Sequence, residues 1–178
     1  MIDWTSAEAG RAPGPGVVPL TFGLRNVAAC PVRLPGTITL VTDEPQLRAR
    51  FAVDDVALSE LHARAFARPA ASPVIEVQAW RAQLERYSVS WVGAFAGEDL
   101  VGFVHACWDG GLHAFLLDTV VDPRCRRRGL GTRLVTHLVS EVRAAGCQWL
   151  HVDYEAHLES FYRAAGFGST TAGILELR

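Results

Sequence analysis

The sequence predicts one α/β domain, and three observations carry that prediction. Strand-like apolar runs alternate with segments of helical period along most of the chain. At 178 residues, 49% of them hydrophobic and 20% charged, the chain has enough material for one sizeable core. In its second half an apolar run, a Gly/Arg turn and an amphipathic helical segment follow one another directly.

Residues 1–36 are read as an irregular or mobile extension, because Ala12-Pro13-Gly14-Pro15-Gly16 breaks any period. The domain proper is placed at residues 37–178, opening with a strand at Thr37–Thr42 or Leu47–Val53. A helix follows from Asp54 or Asp55, either of which can cap it, with apolar positions at Leu58, Leu61, Ala65 and Phe66. Arg68–Pro73 ends that helix, and a second is expected over Val74–Tyr87. Trp91–Ala96 and Leu100–Trp108 flank Gly97-Glu98-Asp99 as a hairpin. Asp109-Gly110-Gly111 then turns the chain into a strand over His113–Val121.

Beyond that strand, Leu134, Val135, Leu138, Val139 and Val142 form one stripe at helical spacing, and Gly146 closes the helix as a C′ glycine. Gln148–Tyr154 reads as a strand and His157–Ala165 as a short helix. The eleven residues after Phe167 leave room for one last strand, Ala172–Leu177.

The turn between the His113–Val121 strand and its helix is the most informative stretch. It holds Arg124, Arg126, Arg127, Arg128, Gly129, Leu130, Gly131, Thr132 and Arg133. A strand, a Gly-rich turn and a helix N-terminus direct backbone N–H groups at an anion, and the helix dipole favours negative charge there. Arginine adds forked donors suited to phosphate. The competing interpretation is a solvated basic turn. The chain has no lysine, which excludes a P-loop, and Leu134 stands where a dinucleotide fingerprint needs its third glycine. A net charge of −2, from 17 arginines against 19 acidic residues, argues against a nucleic-acid-binding domain.

The form Arg126-x-x-Gly129-x-Gly131 resembles the pyrophosphate loop of the GNAT superfamily of acetyl-CoA-dependent N-acetyltransferases. Phe161-Tyr162-x-x-x-Gly166-Phe167 resembles that family's closing signature, and the strand, loop, helix, strand and helix occur in the family's order. The resemblance covers roughly residues 47–177. It implies a mixed, strongly twisted sheet of about six to seven strands with helices on both faces, splayed between the fourth and fifth strands. It also implies acetyl-CoA as acyl donor, with the diphosphate held by residues 126–133 and the pantetheine arm by the backbone of Thr119, Val120 and Val121. Direct transfer to a primary amine in a ternary complex follows, with no metal.

On that reading Tyr162 is the general acid that protonates the departing thiolate, and the Val121 amide holds the oxyanion. The competing reading of Tyr162 is a core aromatic on the apolar face it shares with Leu158 and Phe161. His113, Asp118 and Glu155 are candidate bases, and a water chain is the alternative. Strand alternation puts His113, Phe115, Leu117, Thr119 and Val121 on one face, with Asp118 on the other. Glu155 stands where many relatives carry a cofactor-contacting Asn. The acceptor pocket is expected between the first two helices, the Arg68–Pro73 connection and the turn after Trp108, with Trp80, Trp91 and Trp108 available to line it.

A non-catalytic acyl-CoA sensor and an enzyme acting on aminoacyl-tRNA are the competing functions. The acceptor, a small-molecule or peptide amine, carries no signature, and a homodimer stays open. Widely spaced Cys30, Cys107, Cys125 and Cys147 show no metal spacing and are expected as free thiols in a reducing cytoplasm. No secretory leader or membrane span is expected. A lysine-free, Arg- and Ala-rich composition suggests a GC-rich bacterial source.

Overall fold

The computed structural model describes residues 30–34, 37–41, 44–66 and 75–177. Strands β1 (Cys30–Leu34) and β2 (Thr37–Val41) pair antiparallel as a separate two-stranded sheet. The expectation of an irregular stretch through residue 36 therefore fails over 30–34, where the chain is paired across the proposed domain boundary.

Five further strands make the main sheet, in the order β3 (Gln46–Ala49), β4 (Ser88–Ala96), β5 (Asp99–Trp108), β6 (His113–Val121) and β7 (Trp149–His151). The first four are mutually antiparallel, and β6 and β7 are parallel. Gly97, at φ 63°, supplies the left-handed turn that closes the β4–β5 hairpin.

Helix α1 (Asp55–Phe66) is capped by Asp54, whose Oδ1 accepts from the amides of Val56 (2.9 Å) and Ala57 (3.1 Å). It packs with α2 (Trp80–Tyr87) on one face of the sheet, where Leu58, Leu61, Trp80, Leu84, Trp91, Phe103 and Val120 are buried together. Helix α3 (Leu130–Ala144) covers the other face, burying its predicted stripe against Val92, Ala94, Val104, Ala114 and Leu116. Gly146, at φ 93°, lies beyond its C-terminus as expected. Helix α4 (Glu159–Ala164) contributes Tyr162 to the same core.

Some boundaries move. Residues 75–79 are not helical, so the second helix starts at Trp80, and the expected strand 148–154 contracts to Trp149–His151. Ala172–Leu177 forms no strand: Ile174, Leu175 and Leu177 are at least 82% exposed and find no apolar surface to pack on. The main sheet therefore has five described strands, and β7 has no partner on its outer side among the described residues. Beside that edge, Phe115, Leu117 and Trp149 leave an apolar strip exposed. No helix among the described residues is long and apolar enough to cross a membrane. Cys107 and Cys147 are free, but Cys125 is disulfide-bonded, against the expectation of four free thiols.

Candidate active site

Strands β6 and β7 pair through only three residue pairs, His113–Trp149, Ala114–Leu150 and Phe115–His151. Beyond Phe115 they part, and the β7-facing side of Leu116–Val121 has no strand partner among the described residues. On its other side, β6 ends with the Asp122 amide donating to the Val101 carbonyl at 2.9 Å. Because successive residues of an antiparallel strand turn their backbone groups to opposite sides, the Val121 N–H points away from β5 and into the gap.

A cleft of about 650 Å³ occupies this gap. Thr119, Val120 and Val121 form one wall, Arg127, Gly129 and Gly131 the next, and Phe161 and Tyr162 the third. Gly129 is the N-cap of α3 at φ 76°, and no side chain caps that terminus. The first N–H groups of a 15-residue helix thus open into a cavity. The other glycine is small for a different reason: a Cβ on Gly131 would lie 3.2 Å from the Phe161 ring.

The arginines of the turn divide by role. Arg126 and Arg127 line the cleft, yet Arg126 is also a staple, its Nε donating to the Val121 carbonyl (3.1 Å) and its Nη2 to that of Ala65 (2.6 Å). Arg124 grips Asp122 through Nε and Nη2 at 2.9 and 2.8 Å. Burial alone would raise the Asp122 carboxyl pKa, but hydrogen bonds from Arg124 and the charges of Arg124 and Arg64 hold it below the usual range. Arg133 turns away to Glu44 (2.8 Å) and the Pro45 carbonyl (3.1 Å) and, like Arg128, does not line the cleft.

Tyr162 is 5% exposed, stacked on Tyr154 and edge-on to Phe161 and Phe167. Its hydroxyl reaches the cleft 3.5 Å from Thr119 Oγ1, a long contact that a substrate atom could replace. The expectation of a core aromatic holds for the ring, and the same residue lines the cleft.

The three candidate bases fare differently. His113 sits at the far end of β6 and shares a 2.8 Å hydrogen bond with His151 on the exposed sheet face, outside the cleft. Glu155 is exposed and paired with His157 at 3.2 Å. Asp118 is the structural surprise. It adopts φ 49°, unusual for a residue with a side chain, inside a bulge where β6 spends three steps from Leu117 to Val120 against two on β5.

The bulge breaks the expected alternation. Ala114 and Leu116 face α3, whereas Val120 joins the core under α1, and Asp118 turns toward α1 as well. Its Oδ1 lies 3.1 Å from His62 Nε2 and its Oδ2 2.9 Å from His105 Nε2. Burial would raise the Asp118 pKa, but hydrogen bonds and charge from both histidines outweigh it and leave the carboxyl far below its ordinary value. His62 and His105 are missing from the sequence reading because neither stands in a motif. His62 lies 56 residues from Asp118, and only a fold with α1 over β6 brings them together.

The aromatic pocket expected for an acceptor is partly dismantled. Trp80 donates to Ser59 Oγ and Trp91 to the Phe51 carbonyl, both as core residues, and Trp108 is exposed. The Arg68–Pro73 connection lies outside the described residues. Among the described residues, no group of three or more His, Cys, Asp or Glu could hold a metal ion.

Residues 56–167 match the model of the acetyltransferase (GNAT) family. Serotonin N-acetyltransferase 2, chloroplastic, of Oryza sativa subsp. japonica is 31% identical over 123 residues, covering 67% of this chain and 59% of that protein. The chain thus spans less than two thirds of that curated relative. Among solved structures, a Trypanosoma brucei acetyltransferase superposes with a TM-score of 0.61 at 24% identity, over 75% of this chain and all of that one. The structure of AAC(6')-Iy with a CoA-linked bisubstrate analogue superposes at 0.60 and 17% identity, over 76% and 99% of the two chains. At such identities the superpositions speak for the fold, and the match over 56–167 for the lineage: the chain belongs to the acetyltransferase (GNAT) family.

Proposed function

We propose that the protein transfers an acetyl group from acetyl-CoA to a primary amine by direct attack within a ternary complex. The observation that carries this reading is the cleft between the parted strands β6 and β7, bounded at one end by the uncapped N-terminus of α3 and on its flank by the Tyr162 hydroxyl. The diphosphate fits the amides that follow Gly129 and the Arg127 side chain, since both supply donors and positive charge. The pantetheine amides fit the unpaired edge of Thr119–Val121, as an added strand would.

The Val121 amide then polarises the thioester carbonyl, and Tyr162 protonates the departing sulfur. A free thiol titrates near pKa 8.5 and a phenol near 10, so the phenol stays protonated at neutral pH and can still donate as the thiolate forms. The acceptor is a small-molecule or peptide amine, and a bacterial source rests on the composition. A homodimer would cover the apolar strip of Phe115, Leu117 and Trp149 beside the free edge of β7.

The test is thiol release from acetyl-CoA against a panel of amines, amino acids, aminoglycosides and polyamines, with calorimetry of CoA binding. We expect turnover on at least one amine. Tyr162→Phe should lower kcat about 10²-fold with little change in CoA affinity, the usual weight of a general acid. Absence of CoA binding to the wild-type protein would sink the proposal.

A further inference from the structure

We propose that His62 is the general base that deprotonates the acceptor amine, oriented by Asp118 and, behind it, by His105 and Ser88. The inference rests on the acetyl-transfer reading above and assigns the step that Tyr162 does not perform.

The geometry begins at the bulge. Asp118 and Thr119 are consecutive, and their side chains serve opposite sides of the opened strand. Thr119 meets the Tyr162 hydroxyl at 3.5 Å, and Asp118 meets His62 at 3.1 Å. The acid and the proposed base are therefore held by neighbouring residues of one distorted segment. The left-handed conformation of Asp118 persists only where the surroundings over-determine it, and such strain clusters at functional sites.

The hydrogen bonds assign the protons. An ionised carboxylate only accepts, so His62 and His105 each donate Nε2–H to Asp118. Behind His105, its Nδ1 shares a 2.9 Å hydrogen bond with the Ser88 hydroxyl, which accepts or donates as the ring requires and holds that buried ring in place. His62 differs in one respect: its Nδ1 has no partner among the described residues, so a lone pair is free to take a proton. A carboxylate on the far nitrogen orients such a ring and stabilises the imidazolium that forms.

The ring lies at the margin of the cleft. It packs against Trp80 (centroids 5.4 Å) and against Phe66 (4.7 Å), which lines the cleft where His62 itself does not, and its side chain stays 27% exposed. Around it β5 presents His105, β6 presents Asp118 and α2 presents the neutral Trp80. On α1 itself, Arg64 is engaged with Glu60 and Asp122.

The step balances. The ammonium gives one proton to Nδ1 of His62, directly or through one water, and the amine nitrogen bonds to the thioester carbon. The C–S bond breaks, and the sulfur takes the Tyr162 proton. The nitrogen's second proton, released as the amide forms, restores the phenol, and the His62 proton passes to solvent.

Three measurements on the full chain test this. In His62→Gln, kcat/KM at pH 7 should fall about 10²-fold with CoA affinity unchanged, and the deficit should shrink as pH approaches the amine's own pKa. Imidazole added to His62→Ala should restore part of the lost rate, an effect a purely structural residue would not show. Nitrogen-15 spectra of the resting protein should find His62 protonated on Nε2 only, and Asp118→Asn should lower kcat rather than raise KM. Wild-type pH dependence in His62→Gln, or His62 protonated on Nδ1 in the spectra, overturns the inference. Failure of the wild-type protein to bind CoA would instead overturn the transferase reading.

Discussion

The guanidinium of Arg126 and the main-chain carbonyl of Ala65 lie 2.6 Å apart, joining the turn before α3 to the last turn of α1. The same side chain holds the Val121 carbonyl at 3.1 Å, so one residue ties the end of β6, the Gly/Arg turn and the helix that carries His62. Arg126→Ala should loosen this corner. Hydrogen bonds from charged donors contribute about 1.5–3 kcal/mol, less where solvent competes, so about 1 kcal/mol is expected for this exposed pair. Arg126→Lys should not recover it, because a single ammonium lacks the planar fork. Urea unfolding of the two variants checks both statements.

The two glycines of the loop should respond differently to alanine. Gly129 sits at φ 76° in open space, so Gly129→Ala carries backbone strain of about 1–2 kcal/mol, partly offset by a less flexible unfolded chain. Gly131 is inside α3, where alanine gains about 1 kcal/mol of helix propensity, while its new methyl presses on Phe161 at 3.2 Å. We expect Gly129→Ala to be the less stable variant by denaturant titration. Gly131→Ala should stay near wild type and lose CoA affinity, because Phe161 and Tyr162 share one wall of the cleft.

Leu134 fills the space that Gly102 leaves on β5. A Cβ at Gly102 would meet Leu134 Cδ1 at 2.8 Å. Leu134→Ala should therefore cost about 2–5 kcal/mol, the range for fully buried leucines, since Gly102 has no side chain to fill the space. Adding Gly102→Ala should return part of that loss, giving a coupling of about 1 kcal/mol in a double-mutant cycle. Strict additivity of the two changes would refute the packing argument.

Wherever local chemistry decides, the sequence is legible. The caps at Asp54 and Gly146, the stripe of α3 and the Gly97 turn follow from propensity and period, and the structure places them as read. The bulge at Asp118 is illegible for a physical reason. Nothing in His113–Val121 marks an extra residue, and alternation simply fails once β6 must satisfy β5 on one side and open on the other. The histidines on Asp118 are hidden for the same reason: their partnership exists only after long-range packing. The arginine turn shows an intermediate case. Its composition suggests an anion loop, whereas the fold engages Arg124, Arg126 and Arg133 with Asp122, backbone carbonyls and Glu44.

Asp118 also makes a prediction about acid stability. Its folded carboxyl titrates well below the value near 3.9 of an unfolded aspartate, because its bonds to His105 and His62 outweigh the effect of burial. The folded state thus binds fewer protons than the unfolded state, and stability rises with pH across that window. The contribution is fully present above about pH 5 and is lost as pH falls from there through the folded value. Asp118→Asn removes it, so the variant should be less stable at pH 7 and flatter between pH 5 and 3, with the two curves converging in acid. Some acid sensitivity should persist in the variant, since Asp122 is depressed in the same direction by Arg124 and Arg64. Urea midpoints of both proteins at pH 7, 5, 4 and 3 measure the difference. A constant gap across that series would mean that Asp118 is not ionised through its histidines.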